Sequence, residues 1–174
     1  MSDYPYLAAV LPSLEFGDVQ FPSSERFMDE AEKWLAEDEL RVLSSAHVDD
    51  YAPAEHSLEL LDEYNRFERS IRRDIAVFVE ARRSGHDHKT NMFPTSYLKD
   101  TTPLEAARRL LRLRWDFVQS RLDTHYGDLH SLVIYRIKIQ ILERLAGFEK
   151  AKGTERFSAL TDSDSIAVEV VEAS

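Results

Sequence analysis

Two of the six histidines stand together in Gly85-His86-Asp87-His88, the one cluster whose spacing resembles a set of metal ligands. His-x-His on a loop takes up zinc or nickel adventitiously, whereas a structural site needs four ligands and a supporting shell. A solvated loop is the expectation, with no metal and no cofactor. His47, His56, His125 and His130 show no paired spacing. A second grouping is the basic run Arg108-Arg109-Leu110-Leu111-Arg112-Leu113-Arg114-Trp115. Arginine neutralises phosphates and tryptophan stacks on bases, so these are the residue types of an RNA-binding helix. Arg108 and Arg112 share a helix face, while Arg109 is turned away by about 100°. Glu105 and Asp116 blunt the patch, and the chain carries a net charge of −10. The basic footprint of a nucleic-acid binder is missing, so no nucleic acid is expected as a partner.

Acidic pairs such as Asp29-Glu30 and Asp49-Asp50 are too common in an acidic chain to mark acid–base catalysis. Cysteine is absent, which excludes disulfides, thiolate nucleophiles and cysteine-bound metals. No Gly-x-Ser-x-Gly, P-loop or dinucleotide fingerprint occurs. The expectation is a protein that is not an enzyme.

The elements that position these residues read as helices. Only 5 of 174 residues are glycine, where average usage would give about 12. Residues 4–11, bracketed by Pro5 and Pro12, read as a short extended segment, with a short helix as the alternative. Ser23-Ser24 offers an N-cap for a helix carrying Phe27, Ala31, Trp34 and Leu35, and a further short helix carries Leu40 and Leu43. A long amphipathic helix is predicted over 57–83, with Leu58, Leu61, Tyr64, Phe67 or Glu68, Ile71, Ile75, Phe78 and Arg82 on its inner stripe. Asp62, Arg66, Arg69, Arg73 and Glu80 lie opposite. Gly85 ends it, and residues 84–100 form a polar loop.

Thr102-Pro103-Leu104-Glu105 combines a Thr cap, a proline in the first turn and a glutamate three residues after the cap. The helix it opens runs over 102–124, striped by Leu104, Ala107, Leu111, Arg114 or Trp115, Val118 and Leu122. Gly127-Asp128 breaks and recaps the chain. A third long helix covers 128–149, where Ile139 and Leu142 widen the apolar face beyond what a lone surface helix needs. A last turn follows Gly153. The fold class is therefore all-α: three long amphipathic helices in a bundle, plus shorter terminal helices. Residues 1–160 form one helical domain and 161–174 a flexible acidic tail.

Residues 1–64 carry a net charge of −13, and residues 65–156 carry +7. The two parts either pair internally or present two faces to two partners, as a free-standing helical adaptor would. No apolar run approaches the ~20 residues needed to cross a bilayer, so no direct membrane insertion is expected.

Several segments together resemble a known family. The run Tyr4-Pro5-Tyr6-Leu7-Ala8-Ala9-Val10-Leu11-Pro12-Ser13-Leu14-Glu15-Phe16-Gly17 is similar to the opening of an uncharacterised bacterial family encoded in V-type ATPase operons, with its Tyr-x-Tyr-Leu-x-Ala-x-Leu-Pro-x-Leu-x-Phe pattern. Asn65-Arg66-Phe67-Glu68 through Arg72-Arg73 resembles its central helix, and Arg114-Trp115 its Arg-Trp pair. Tyr135-Arg136-Ile137-Lys138-Ile139-Gln140-Ile141-Leu142-Glu143-Arg144 resembles its Tyr-x-Leu-Lys-Leu-Gln-Ile helix, and Gly153 with Phe157 its closing motif.

The resemblance implies a non-catalytic subunit or accessory factor of a V-type ATPase, similar to the C (or d) subunit that links the central rotor to the membrane ring. It further implies V-type ATPase subunits as partners, a role in proton or sodium transport, and a cytoplasmic location at the periphery of the membrane complex. Arginines and aromatics are the residues expected at the centre of such a contact. Arg108, Arg112, Trp115, Arg136 and Lys138 are the partner-binding candidates. The free-standing adaptor is the alternative, and RNA binding through residues 108–115 ranks behind both.

Overall fold

The structure is a computed structural model that describes residues 4–50, 58–122, 125 and 127–172, with side chains described as far as residue 151. Its architecture is all-α, without a strand among the described residues. In chain order the helices are α1 (Pro5–Val10), α2 (Ser24–Ala31), α3 (Glu37–Ser45), α4 (Glu59–Arg83), α5 (Pro103–Gln119) and α6 (Leu129–Glu172). A 3-10 turn at Thr95–Tyr97 precedes α5. No helix among the described residues is long and apolar enough to cross a membrane.

The first half of α6 is the axle of the body. Leu132, Val133, Ile134, Ile137, Ile139, Ile141 and Leu142 are each at most 1 % exposed, so this stretch is covered on nearly every side. A helix apolar all round must be enclosed by neighbours, and α2, α3 and α5 lie directly on it. Burial of each such Ile or Leu stabilises the fold by about 1.5–3 kcal/mol over leaving it exposed. The width of the apolar face on residues 128–149 is thus accounted for inside the chain.

Local signals fix several helix ends. At α5, Thr102 Oγ1 accepts from the Glu105 N–H at 3.2 Å, and the Glu105 carboxylate accepts from the Thr102 N–H at 3.2 Å. Pro103 occupies the first turn, where no N–H is needed. Asp128 caps α6, its Oδ1 accepting from the Ser131 N–H at 2.9 Å. Gly127 has φ +71°, a conformation that costs an L side chain strain, and its carbonyl accepts the Tyr4 N–H. A Cβ there would also meet the Pro5 backbone at 3.5 Å. The N-terminus is thereby tied to the start of α6.

Two expectations change. Residues 4–11 form the short helix α1 rather than an extended segment: Pro5 suits a first helical turn, and Leu11 turns extended ahead of Pro12. The helical backbone of α6 runs from Leu129 to Glu172, past the expected end near 149. At the other boundaries, α5 ends at Gln119 rather than near 124, and residues 51–57, 123–124 and 126 lie outside the described residues.

Candidate functional site

Several polar residues in the first half of α6 hold the parts of the body together. Tyr135 Oη donates to the Pro12 carbonyl at 3.0 Å. Glu143 accepts from both the N–H and the hydroxyl of Ser24, each at 2.7 Å, and so clamps the first turn of α2. Arg136, Gln140 and Arg144 recur every four residues and share one face. That face grips residues 44–49. Arg136 Nε donates to the Ala46 carbonyl at 2.9 Å, and Gln140 Nε2 donates to the same oxygen at 3.0 Å. Gln140 Oε1 accepts from the Val48 N–H at 2.8 Å, and Arg144 Nη1 donates to Asp49 Oδ1 at 2.8 Å. Tyr64 Oη reaches the Val48 carbonyl from α4 at 2.9 Å, and burial pushes its hydroxyl pKa far up.

An ionic network joins α4 to α5. The Glu68 side chain has no exposure at all, and Arg114 is also buried. The Arg114 guanidinium donates to both carboxylate oxygens, at 2.8 and 2.7 Å, in the two-pronged geometry that suits arginine. Arg72 Nε adds a third bond to Glu68 at 2.9 Å, and its Nη2 donates to Asp49 Oδ1 at 3.3 Å. Two acids and three arginines (72, 114 and 144) thus link α4, α5, α6 and the 44–50 segment. Beside them Phe67 stacks on Phe117 with centroids 4.0 Å apart, and Arg121 pairs with Glu63 at 2.8 Å. Acids of the first third meet basic helices inside the molecule, which is the internal form of charge pairing.

The five sequence candidates divide by location. Trp115 is 4 % exposed and meets the Phe16 ring edge-on, with centroids 5.7 Å apart. Lys138 is also 4 % exposed; it donates to Gln119 Oε1, lies 4.8 Å from the Trp115 ring centroid, and burial pushes its pKa down. Arg136 is half-buried on the 44–46 carbonyls, and burial lowers its pKa too. As surface contacts these three are corrected: their side chains are engaged within the chain. Arg108 and Arg112 do face solvent, paired with Glu149 at 3.1 Å and with Asp116 at 2.9 Å. Arg109 donates to the Ser96 carbonyl at 2.7 Å, so every arginine of the 108–114 run has a partner.

Cationic side chains without such partners stand on α4. Arg66, Arg69 and Arg73 are exposed, follow one another at helical spacing, and form no ion pair among the described residues. The loop after α4 is built on Asp74, which accepts from the N–H groups of Asn91 at 2.5 Å and Met92 at 2.7 Å. Burial raises the Asp74 pKa, but these two bonds outweigh it and hold the carboxyl below its ordinary value. A depressed folded-state pKa means stability that is complete above the unfolded value and disappears as pH falls through the folded one. Below about pH 3.9 the Asn91 and Met92 amides should lose protection from hydrogen exchange, and Asp74→Ala should release them at neutral pH. Unchanged protection in that variant would show that the loop holds itself.

Two further features were not legible as sites in the sequence. One is a cleft of about 580 Å³ lined by Leu11, Leu14, His125, Ser131, Tyr135 and Lys138, among others. Burial pushes the Tyr135 hydroxyl up to about 12. The other is His125, Asp128 and His130, whose potential ligand atoms lie within 4.8 Å of one another. Burial raises the Asp128 pKa, but hydrogen bonds from the Ser131 N–H and His125 hold it below its ordinary value. Burial and the neighbouring His125 push His130 down. His86 and His88, the pair singled out by spacing, belong to no such cluster among the described residues. The telling signal was His-x-x-Asp-x-His across the break that starts α6.

Comparison of the chain with protein-family models, with curated proteins and with solved structures gives no match.

Proposed function

We propose that this chain is a non-catalytic helical component of a bacterial V-type ATPase. In this reading it works by protein–protein contact at the cytoplasmic periphery of the complex, in the manner of the C/d-like link between rotor and membrane ring. The observation that carries the reading is the convergence of the family-like segments in space. Phe16 of the opening run packs on Trp115 of the Arg-Trp pair, and Tyr135 of the third long helix holds the Pro12 carbonyl. Glu68 of the central helix binds Arg114. Residues that carry the resemblance are thus the ones that join the helices, as expected if they specify one shared body.

The mechanical side of the proposal follows from the same contacts. A coupling element must carry load without shearing, and buried ionic clasps between α4 and α5 resist sliding because sliding would strand charges away from water. In this reading α4, α5 and α6 are the three rods of the bundle. The working surface moves from Arg108 and Arg112, which are already paired, to Arg66, Arg69 and Arg73 on α4. Such a stripe suits an acidic protein face and speeds encounter with it.

Capture of the tagged chain, expressed at native level in its own cells, should recover catalytic-head or central-stalk subunits of the ATPase. Recovery of unrelated proteins alone would overturn the assignment.

A further inference from the structure

The turn into α6 brings together three side chains with the chemistry of a metal site. Asp128 divides its carboxylate between two tasks: Oδ1 caps the helix on the Ser131 N–H at 2.9 Å, and Oδ2 faces two imidazoles. Oδ2 lies 2.7 Å from His125 Nδ1 and 3.6 Å from His130 Nδ1. Bonds of about 2.0–2.2 Å to one zinc ion, at tetrahedral angles, set neighbouring donor atoms roughly 3.2–3.6 Å apart. The 3.6 Å distance meets this spacing, whereas the 2.7 Å one is a hydrogen bond that an ion would replace and that must open by about 0.5 Å. His130 Nδ1 is shut off from solvent and has no hydrogen-bond partner among the described residues. A buried ring nitrogen left in that state costs free energy that an ion would recover.

We propose that His125, Asp128 and His130 bind a divalent transition-metal ion of the zinc type. Imidazole and carboxylate donors suit this class, and water completes a four-coordinate shell around three protein ligands. His130 is fixed in the first turn of α6. His125 stands outside any helix and stacks on His130 with centroids 4.2 Å apart, so sharing one ion requires its ring to tilt out of the stack. His125 also lines the cleft beside α6, which gives the ion a path in. Gly127, between His125 and Asp128 in the sequence, carries the carbonyl that holds the Tyr4 N–H. Metal here therefore locks the α5–α6 connection and the N-terminus together. The site is independent of any role in an ATPase.

Titration of the full chain with Zn²⁺ by calorimetry, supported by the visible absorption of bound Co²⁺, tests the proposal. One ion per chain is expected, with a higher melting temperature in its presence. Asp128→Asn keeps a good helix cap while removing the charged ligand, and should weaken binding by roughly tenfold or more. His130→Gln should do the same. A double variant, His86→Ala with His88→Ala, should bind as the parent does. Absence of zinc uptake overturns the site, as does affinity that survives Asp128→Asn or vanishes in the double variant. Circular dichroism confirms folding, and Asp128→Asn decides the matter if His130→Gln unfolds.

Discussion

Glu68→Ala is expected to lower the free energy of unfolding by about 3–5 kcal/mol, the range for removing one partner of a buried ion pair. The loss is large because of what remains. Arg114, at 9 % side-chain exposure, would keep its charge with no carboxylate beside it and the neutral Leu110 carbonyl 3.0 Å away. Arg72 would lose its contact to Glu68 as well. Replacing both partners with apolar residues of similar volume, Glu68→Leu with Arg114→Met, should restore much of the loss, since no charge is then stranded. Denaturant midpoints for Glu68→Ala and for the double variant measure this directly. A single-variant cost under about 1 kcal/mol, the range of a surface pair, would show that the clasp is open to water.

Gln140→Leu should cost roughly 1–3 kcal/mol, although it nearly conserves volume. Gln140 gives one donor and one acceptor to a backbone segment with no helical or strand partner of its own. Ala46 keeps a bond from Arg136 at 2.9 Å, whereas the Val48 N–H, now held at 2.8 Å, would be left buried and unpaired. The expected sign in hydrogen exchange is specific: the Val48 amide loses protection while amides in the middle of α5 keep theirs. Equal loss in both places would mean that the 44–49 segment is part of the cooperative core rather than a strap held by α6.

How much of this was legible depends on whether the cause is local. The capping box at residues 102–105 and the breaks at Gly85 and Gly127 are written in a few adjacent residues, and the structure uses each of them. Periodicity located part of the buried side of α4, Leu61, Tyr64, Ile71 and Phe78, but Arg82 is exposed and Asn65 and Asp74 are buried; in α6 the Ile and Leu run marked a wide apolar face without saying what covers it. The buried ion pair left a trace too: Glu68 and Arg114 fall on the apolar stripes of their helices, where a charge needs a partner. That partner lies 46 positions away, and spacing on one helix cannot identify it.

The partners of the basic run Arg108 to Arg114 were hidden for the same reason, although Arg109 was expected to turn away from Arg108 and Arg112. Its charges are divided among Glu149, the Ser96 carbonyl, Asp116 and Glu68, which come from different parts of the chain. The His125–Asp128–His130 group was hidden because its members straddle a connecting segment and a helix start. Neither a loop pattern nor a helix pattern contains all three.

As a proposed V-type ATPase component, this body, joined by buried polar clasps, should dock on the rotary complex. Mixing the purified chain with a purified V-type catalytic head and central stalk from the same organism, then separating by size, tests it most directly. Stoichiometric co-elution is the predicted result, reduced when Arg66, Arg69 and Arg73 are changed together to glutamate. Elution of the folded chain entirely on its own, at micromolar concentrations of both components, would contradict the account.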